Sequence, residues 1–272
     1  AAAWSAIVLP DGIKQRLLRT AVASAHLRAA VPFDALPLHG VVLLTGKPGV
    51  GKTTVARGLA DRVARTMANE AGWLFVEVDP HSLASSSLGR SQRAVEQLFG
   101  TLLHEHAGAG PMVVLLDEVE TLFTDRAALS MDANPIDVHR AVDAALVGLD
   151  RLARRHTEVL IVATTNFSEA IDPALASRAD WIVEVPLPDR AARRQILEHA
   201  AAAVVAAFPG AGQLLKPALL DAAAEAAEGL DGRRLRKAVA AACAYRREAQ
   251  GDPDRVTGQD LLAVLREEGG RS

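Results

Sequence analysis

The chain has 272 residues, half of them apolar, and a formal charge of −3. That length allows one large core and a smaller second one, and the near-neutral balance gives no electrostatic footprint for DNA or RNA. Its lone cysteine, Cys243, excludes an intrachain disulfide, and no run reaches the roughly 18 apolar residues of a membrane span, so a cytoplasmic location without a membrane partner is expected.

Five short apolar runs read as strands: Val41–Thr45, Trp73–Val78, Met112–Asp117, Val159–Thr164 and Trp181–Val185. They are continuous rather than alternating, as in strands buried on both faces of a parallel sheet. Segments with helical spacing separate them at Thr53–Asn69, Ser91–His106 and Val138–Arg154. The first two thirds therefore read as a doubly wound α/β domain. After Pro186-Leu187-Pro188 no strand-like run remains. Helices are expected at Arg190–Ala207, Pro217–Ala227, Arg233–Ala249 and Gly258–Glu267, with Asp189 and Asp231 able to cap the first and third. The Pro-Leu-Pro stretch is the expected boundary between a large domain, 1–186, and a small helical domain, 187–272.

Gly46-Lys47-Pro48-Gly49-Val50-Gly51-Lys52-Thr53 fits G-x-x-x-x-G-K-[ST], directly after a strand and before a helix. Glycines let the backbone approach phosphates closely, and N–H groups at a helix start attract them. Pro48 through Thr54 are the candidate nucleotide-binding residues, Lys52 reaching the β and γ phosphates and the Thr53 hydroxyl ligating Mg²⁺. Met112–Leu116 delivers Asp117-Glu118 to the sheet edge where ligands of such folds bind. Asp117 is the candidate Mg²⁺ ligand and Glu118 the candidate base or water-orienting acid, with Glu120 a lower-ranked competitor.

The strand Val159–Thr164 leads to Asn166, either a turn former or an amide that orients the attacking water or contacts the γ-phosphate. Arg178, after Ile171-Asp172-Pro173-Ala174-Leu175, either pairs with Asp172 or Asp180 or reaches a neighbouring subunit's site. Gly232-Arg233-Arg234 opens a helix in the second domain, where Arg233 is either a solvated helix start or a second cation for the nucleotide.

Taken in order, the Gly46–Thr53 loop, Leu116-Asp117-Glu118, Thr164-Thr165-Asn166, Ile171–Leu175 and Gly232-Arg233 resemble AAA+ ATPases. More narrowly, His81-Ser82-Leu83, Asp117–Leu122, Asn134–Val142, Ser177–Asp180 and Gly229–Lys237 resemble the pachytene-checkpoint ATPases, the remodellers of HORMA-domain proteins, in a bacterial type. The resemblance implies a five-stranded parallel sheet of order 5-1-4-3-2 with a small C-terminal helical domain, ATP and Mg²⁺ as cofactors, and a ring of identical subunits, a hexamer. It makes Glu118 the catalytic acid, Asn166 the first sensor, Arg233 the second sensor and Arg178 the finger acting in trans. Ile196 falls where relatives pack an apolar side chain on adenine; the alternative is helix core. The implied function is disassembly or partial unfolding of a HORMA-like partner, in bacteria as a restraint on antiphage second-messenger signalling.

Two departures from the family pattern bear on function. The pore-loop stretch is Ser87-Leu88-Gly89-Arg90, with Ser87 where an aromatic is expected, which implies a weaker grip on a threaded chain. Eukaryotic relatives carry a recognition domain ahead of the ATPase core; here the core follows almost directly on Trp4, so either recognition is expected elsewhere or an N-terminal portion lies outside this sequence. A general unfoldase is the alternative function, and a DNA-associated role lacks charge support. His104-Glu105-His106 could suggest a metal pair but lacks a third ligand at suitable spacing. Cys243 reads as helix core, and Asp61 and Arg62 as solvated helix positions.

Overall fold

A computed structural model describes residues 4, 7–9, 11–67, 72–79, 83, 90–123, 135–167, 169 and 171–270. They form two compact units: 1–7, 11–46 and 52–185 in the first, and 8–10, 47–51 and 186–272 in the second.

The first unit holds α1 (Asp11–Ala30), β1 (Val41–Thr45), α2 (Lys52–Thr66), β2 (Leu74–Val78), α3 (Arg90–Gln97), α4 (Leu103–Ala107), β3 (Met112–Leu116), α5 (Pro135–Arg155), β4 (Val159–Thr165), α6 (Pro173–Arg178) and β5 (Trp181–Glu184). All strands pair in parallel in the order β2-β3-β4-β1-β5, the order the family resemblance implies. Every residue of β1, β3 and β4 is buried, as their unbroken apolar runs require. The edge strands β2 and β5 are partly exposed.

Two features of this unit differ from the sequence expectation, in which Ser91–His106 is one helix and no helix is named ahead of β1. The helix expected over Ser91–His106 is broken by a π-helical turn at Leu98–Leu102, which carries the fully buried Phe99 into the core with Leu103, Leu149 and Phe123. The helix α1 lacks a plain apolar stripe. Its buried positions are Leu17, Ala21, Ser24 and Arg28, spaced as one helical face but half polar. Ser24 donates to Asp180 Oδ2 at 3.0 Å. Arg28 donates to the Val159 carbonyl and, at 3.1 Å, to that of His156. Burial pushes the Arg28 guanidinium down to about 10, against the pull of Asp180, which leaves it charged at neutral pH.

The second unit contains α7 (Arg190–Ala207), α8 (Pro217–Ala226), α9 (Gly232–Ala242), α10 (Arg247–Gln250) and α11 (Gly258–Gly269), with a 3₁₀ segment at Pro209–Leu215. Asp189 and Asp231 cap α7 and α9 as expected, and Thr257 with Asp260 forms a capping box on α11. The single helix expected over Arg233–Ala249 instead ends at Ala242, so Cys243 is a half-buried C-cap residue rather than a core one. Leu197, Leu214, Leu220, Leu235, Leu261 and Leu265 build this unit's own core. No described helix is long and apolar enough to cross a membrane.

A Cβ added at Gly148 in α5 would lie 2.4 Å from the Phe99 Cβ. Gly148→Ala is therefore expected to destabilise by about 1–3 kcal/mol through overpacking, overriding the roughly 1 kcal/mol that alanine gains over glycine in a helix interior. Gly12→Ala in α1, with nothing within 4 Å, is expected to be neutral to slightly stabilising. Urea unfolding midpoints of the two variants check the opposite signs.

Candidate active site

Because β4 lies between β1 and β3, the carboxyl ends of all three strands meet at one edge. Register pairs Thr45 with Thr165 and Leu116 with Ala163, so Gly46, Asp117 and Asn166 emerge side by side. In the loop after β1, Gly46, Gly49 and Gly51 have φ of 144°, 83° and 100°. Gly49 also has no room for a side chain, since a Cβ would lie 2.2 Å from Asp231 Oδ1. Residues 47–51 belong with the second unit, where the Gly49 carbonyl accepts the Arg233 backbone N–H at 3.2 Å.

Lys52, the first residue of α2, is only 6% exposed. Its ammonium donates to the Gly46 carbonyl and to Asn166 Oδ1, both at 2.8 Å, partners a buried cation requires. Thr53 Oγ1 donates to Asp117 at 2.9 Å from Oδ1 and 3.1 Å from Oδ2. Thr164 Oγ1 donates to Asp117 Oδ1 at 2.5 Å and accepts the Glu118 backbone N–H at 3.0 Å. One hydroxyl from β4 thus fixes both acids at the end of β3.

Glu118 is the only described non-glycine residue at positive φ, with φ 55° and ψ 53°. That left-handed conformation costs roughly 1–2 kcal/mol for a residue with a Cβ, and it leaves the carboxylate exposed. Asn166 Nδ2 donates to Glu118 Oε1 at 3.3 Å and to Glu120 Oε1 at 3.1 Å, and the Asn166 backbone N–H reaches the same Glu120 oxygen at 3.1 Å. The two acids differ in setting: Glu120 is half-buried and holds Asn166, whereas Glu118 faces outward. The Asn166 amide is fixed at both ends, its oxygen on Lys52 and its nitrogen on carboxylates.

Thr53 and Asp117 together offer a hydroxyl and a carboxylate, hard oxygen donors of the kind Mg²⁺ takes. The left-handed glycines and the buried lysine suit a polyphosphate, because such a backbone lets N–H groups face an anion. The residues present therefore fit a nucleotide with its metal.

Arg178 closes α6, and its partner is neither Asp172 nor Asp180. It forms a bidentate pair with Asp150 of α5, Nε to Oδ1 at 2.7 Å and Nη2 to Oδ2 at 2.9 Å. Asp172 instead caps α6 through the Ala174 N–H. Asp180 accepts from Ser24 and from the backbone of His39 and Gly40. The Arg178 hydrogen bond, with help from His39, holds the Asp150 carboxyl below the usual carboxylate range, and Asp150 raises Arg178 in return.

In the second unit, Arg233 is exposed in the first turn of α9. Arg234 beside it pairs with Glu268 at 3.0 Å. Ile196 is 5% exposed and part of that unit's core. Of the other loop candidates, Pro48 and Thr54 are exposed and Val50 is half-buried. Ser87, Leu88 and Gly89, with His81, Ser82 and Asn134, lie outside the described residues; Arg90 opens α3, its side chain likewise outside. His104 meets His156, Nδ1 to Nε2 at 2.9 Å, and no group of three or more metal-binding side chains occurs among the described residues.

Sequence reasoning missed Thr164 and Asp150. The first was detectable, since Thr164-Thr165 ends an otherwise aliphatic strand and both are essentially fully buried. Asp150 gave no sign, being one acid among many on a helix, 28 residues from its arginine.

The sequence pattern of the ATPase family associated with various cellular activities (AAA) matches residues 42–187. CD-NTase-associated protein 6 of Pseudomonas aeruginosa is 48% identical over 264 residues, 97% of this chain and 86% of that protein. A pachytene checkpoint protein 2 homolog of Arabidopsis thaliana is 32% identical over 86% of this chain, which spans 57% of that protein's length. Among solved structures, C. elegans PCH-2 superposes with a TM-score of 0.77 at 25% identity, covering 99% of this chain and 72% of that one. A chain of the E. coli MS115-1 HORMA:CdnC:Trip13 complex superposes at 0.74 and 19% identity, covering 98% and 90%, and so shows a shared fold. The ordered carboxyl edge of β1, β3 and β4 and these likenesses agree: the chain belongs to the AAA family of ATPases, in the branch of CD-NTase-associated protein 6 and the pachytene checkpoint proteins.

Proposed function

We propose that this chain hydrolyses ATP to ADP and phosphate in a Mg²⁺-dependent reaction, as a homo-oligomeric ring, a hexamer, that disassembles or partly unfolds a HORMA-like protein partner. The reading takes 1–186 as the ATPase domain and 187–272 as a lid. The observation that carries the hydrolytic part is the doubly anchored Asn166, which ties Lys52 to Glu118 and Glu120 in one network.

Lys52 and the loop glycines hold the phosphates. Mg²⁺, held through Thr53 and Asp117, neutralises phosphate charge when bound. Glu118 and Asn166 orient a water toward the γ-phosphorus. As the new P–O bond forms, the bond to the β–γ bridging oxygen breaks, and Glu118 takes the water proton. Thr164 keeps Glu118 and Asp117 in register during this step. Arg178 stabilises the charge developing on a neighbour's phosphates, and the family resemblance gives Arg233 the role of second sensor.

The partner is inferred from the relatives: one is named for association with a CD-NTase, and the fold recurs in a complex with a HORMA protein. Control of antiphage second-messenger signalling follows from the same reading. A pore loop with Ser87 in place of an aromatic favours limited remodelling over processive unfolding.

Lys52→Ala is expected to abolish nucleotide binding. Glu118→Gln is expected to retain ATP and slow turnover by roughly 10²–10⁴-fold. Nucleotide-binding titration and phosphate release check both, and retained binding in Lys52→Ala would refute the phosphate-loop assignment.

Arg178→Ala is expected to lose at least ~10³-fold in turnover with binding intact, and mixtures of Arg178→Ala with Glu118→Gln subunits to regain activity. Co-assembled mixtures that stay inactive would refute the trans role.

Capture of the partner by the ATP-trapped Glu118→Gln form tests the remodelling reading. If a purified HORMA protein keeps its conformer and its complexes through rounds of ATP turnover, while unfolded model proteins stimulate the ATPase, the general-unfoldase alternative stands instead.

A further inference from the structure

The guanidinium of Arg178 is held by its own chain, and the manner of holding is informative. We propose that Asp150 is the positioning residue for Arg178, clamping the guanidinium side-on so that its remaining donors face a phosphate oxygen of a neighbouring copy. This rests on the trans role given to Arg178 above.

A guanidinium has five N–H donors in one rigid plane. Nε and Nη2 grip the two oxygens of Asp150 at 2.7 and 2.9 Å, and Nη1 donates to the Ala174 carbonyl at 2.9 Å. Three donors are used, and one remains on each terminal nitrogen. The pairing therefore orients the cation without consuming it. An arginine without such a clamp spreads over many rotamers and must be ordered at the moment of reaction.

The clamp is itself anchored. Asp150 Oδ1 also meets His39 Nε2 at 3.0 Å. His39 is fixed through its backbone N–H on Asp180 Oδ1 at 2.7 Å and through an edge-on contact with the Phe33 ring, centroids 5.0 Å apart at 84°. Asp150 is thus tied to the turn that enters β1, while Ala174 belongs to the helix that carries Arg178. Both ends of the clamp are attached to fixed backbone, as preorganisation of a charged group requires.

The test uses the assembled protein with ATP. Asp150→Ala is expected to lower kcat roughly 10- to 100-fold, with KM for ATP and nucleotide affinity within about two-fold of wild type. Asp150→Glu is expected to recover part of the loss. In an Arg178→Ala background, Asp150→Ala is expected to add no further loss, and its mixtures with Glu118→Gln copies to regain turnover. Should Asp150→Ala fold poorly by thermal melting, the near-isosteric Asp150→Asn supplies the same readout. Wild-type or faster turnover in Asp150→Ala, with Arg178→Ala impaired, overturns the clamp alone and identifies the pair as a restraint. Losses that multiply in the double variant overturn it too. A wild-type rate in Arg178→Ala overturns both readings.

Discussion

Parallel pairing of β4 with both β1 and β3 sets the geometry on which the rest of the site depends. Parallel strands need crossovers, and each crossover returns the chain so that all strands end at the same edge. With β4 in the middle, the loop after β1 and the acids after β3 are both within side-chain reach of the Thr164–Asn166 segment. Thr164 reaches Asp117 and Glu118, and Asn166 reaches Lys52, Glu118 and Glu120. A one-residue slip of β4 would turn Thr164 toward the opposite face and remove the hydroxyl that aligns the acids.

Burial and polarity conflict at this edge, and hydrogen bonds resolve the conflict. Thr164, Thr165 and Lys52 are all buried, and a polar group left unpaired in such surroundings costs a few kcal/mol. Arg28, under the amino end of β4, meets the condition only in part: its two terminal nitrogens donate to two carbonyls, while its buried Nε has no partner. Polar side chains inside the first unit are therefore concentrated where strands begin and end, and the aliphatic middle of the sheet holds them apart.

The sheet and phosphate loop were legible because their causes are local. Continuous apolar runs mark doubly covered strands, and the glycine spacing Gly46, Gly49, Gly51 marks a backbone that only glycine adopts readily. The strand order came from the family resemblance, not from the runs themselves. What escaped reading depends on distant partners. The helix α1 looks unpatterned because Ser24 and Arg28 take buried positions through Asp180, Val159 and His156, all more than 120 residues away. Arg178 invited pairing with Asp172 or Asp180 because they are near in sequence, yet both have backbone N–H groups to serve. The π turn over Leu98–Leu102 gives no sign in composition; Phe99 within it is fully buried and lies against Gly148 of the sequence-distant α5.

The left-handed backbone at Glu118 has a consequence for descent as well as for chemistry. Glycine adopts that conformation without strain, so replacing the glutamate with glycine would relax the turn while removing the carboxylate. Under the proposed mechanism, stability and catalysis thus pull this one position in opposite directions. On that mechanism, a lineage released from the need to hydrolyse ATP is free to exchange this glutamate for glycine with a gain in stability.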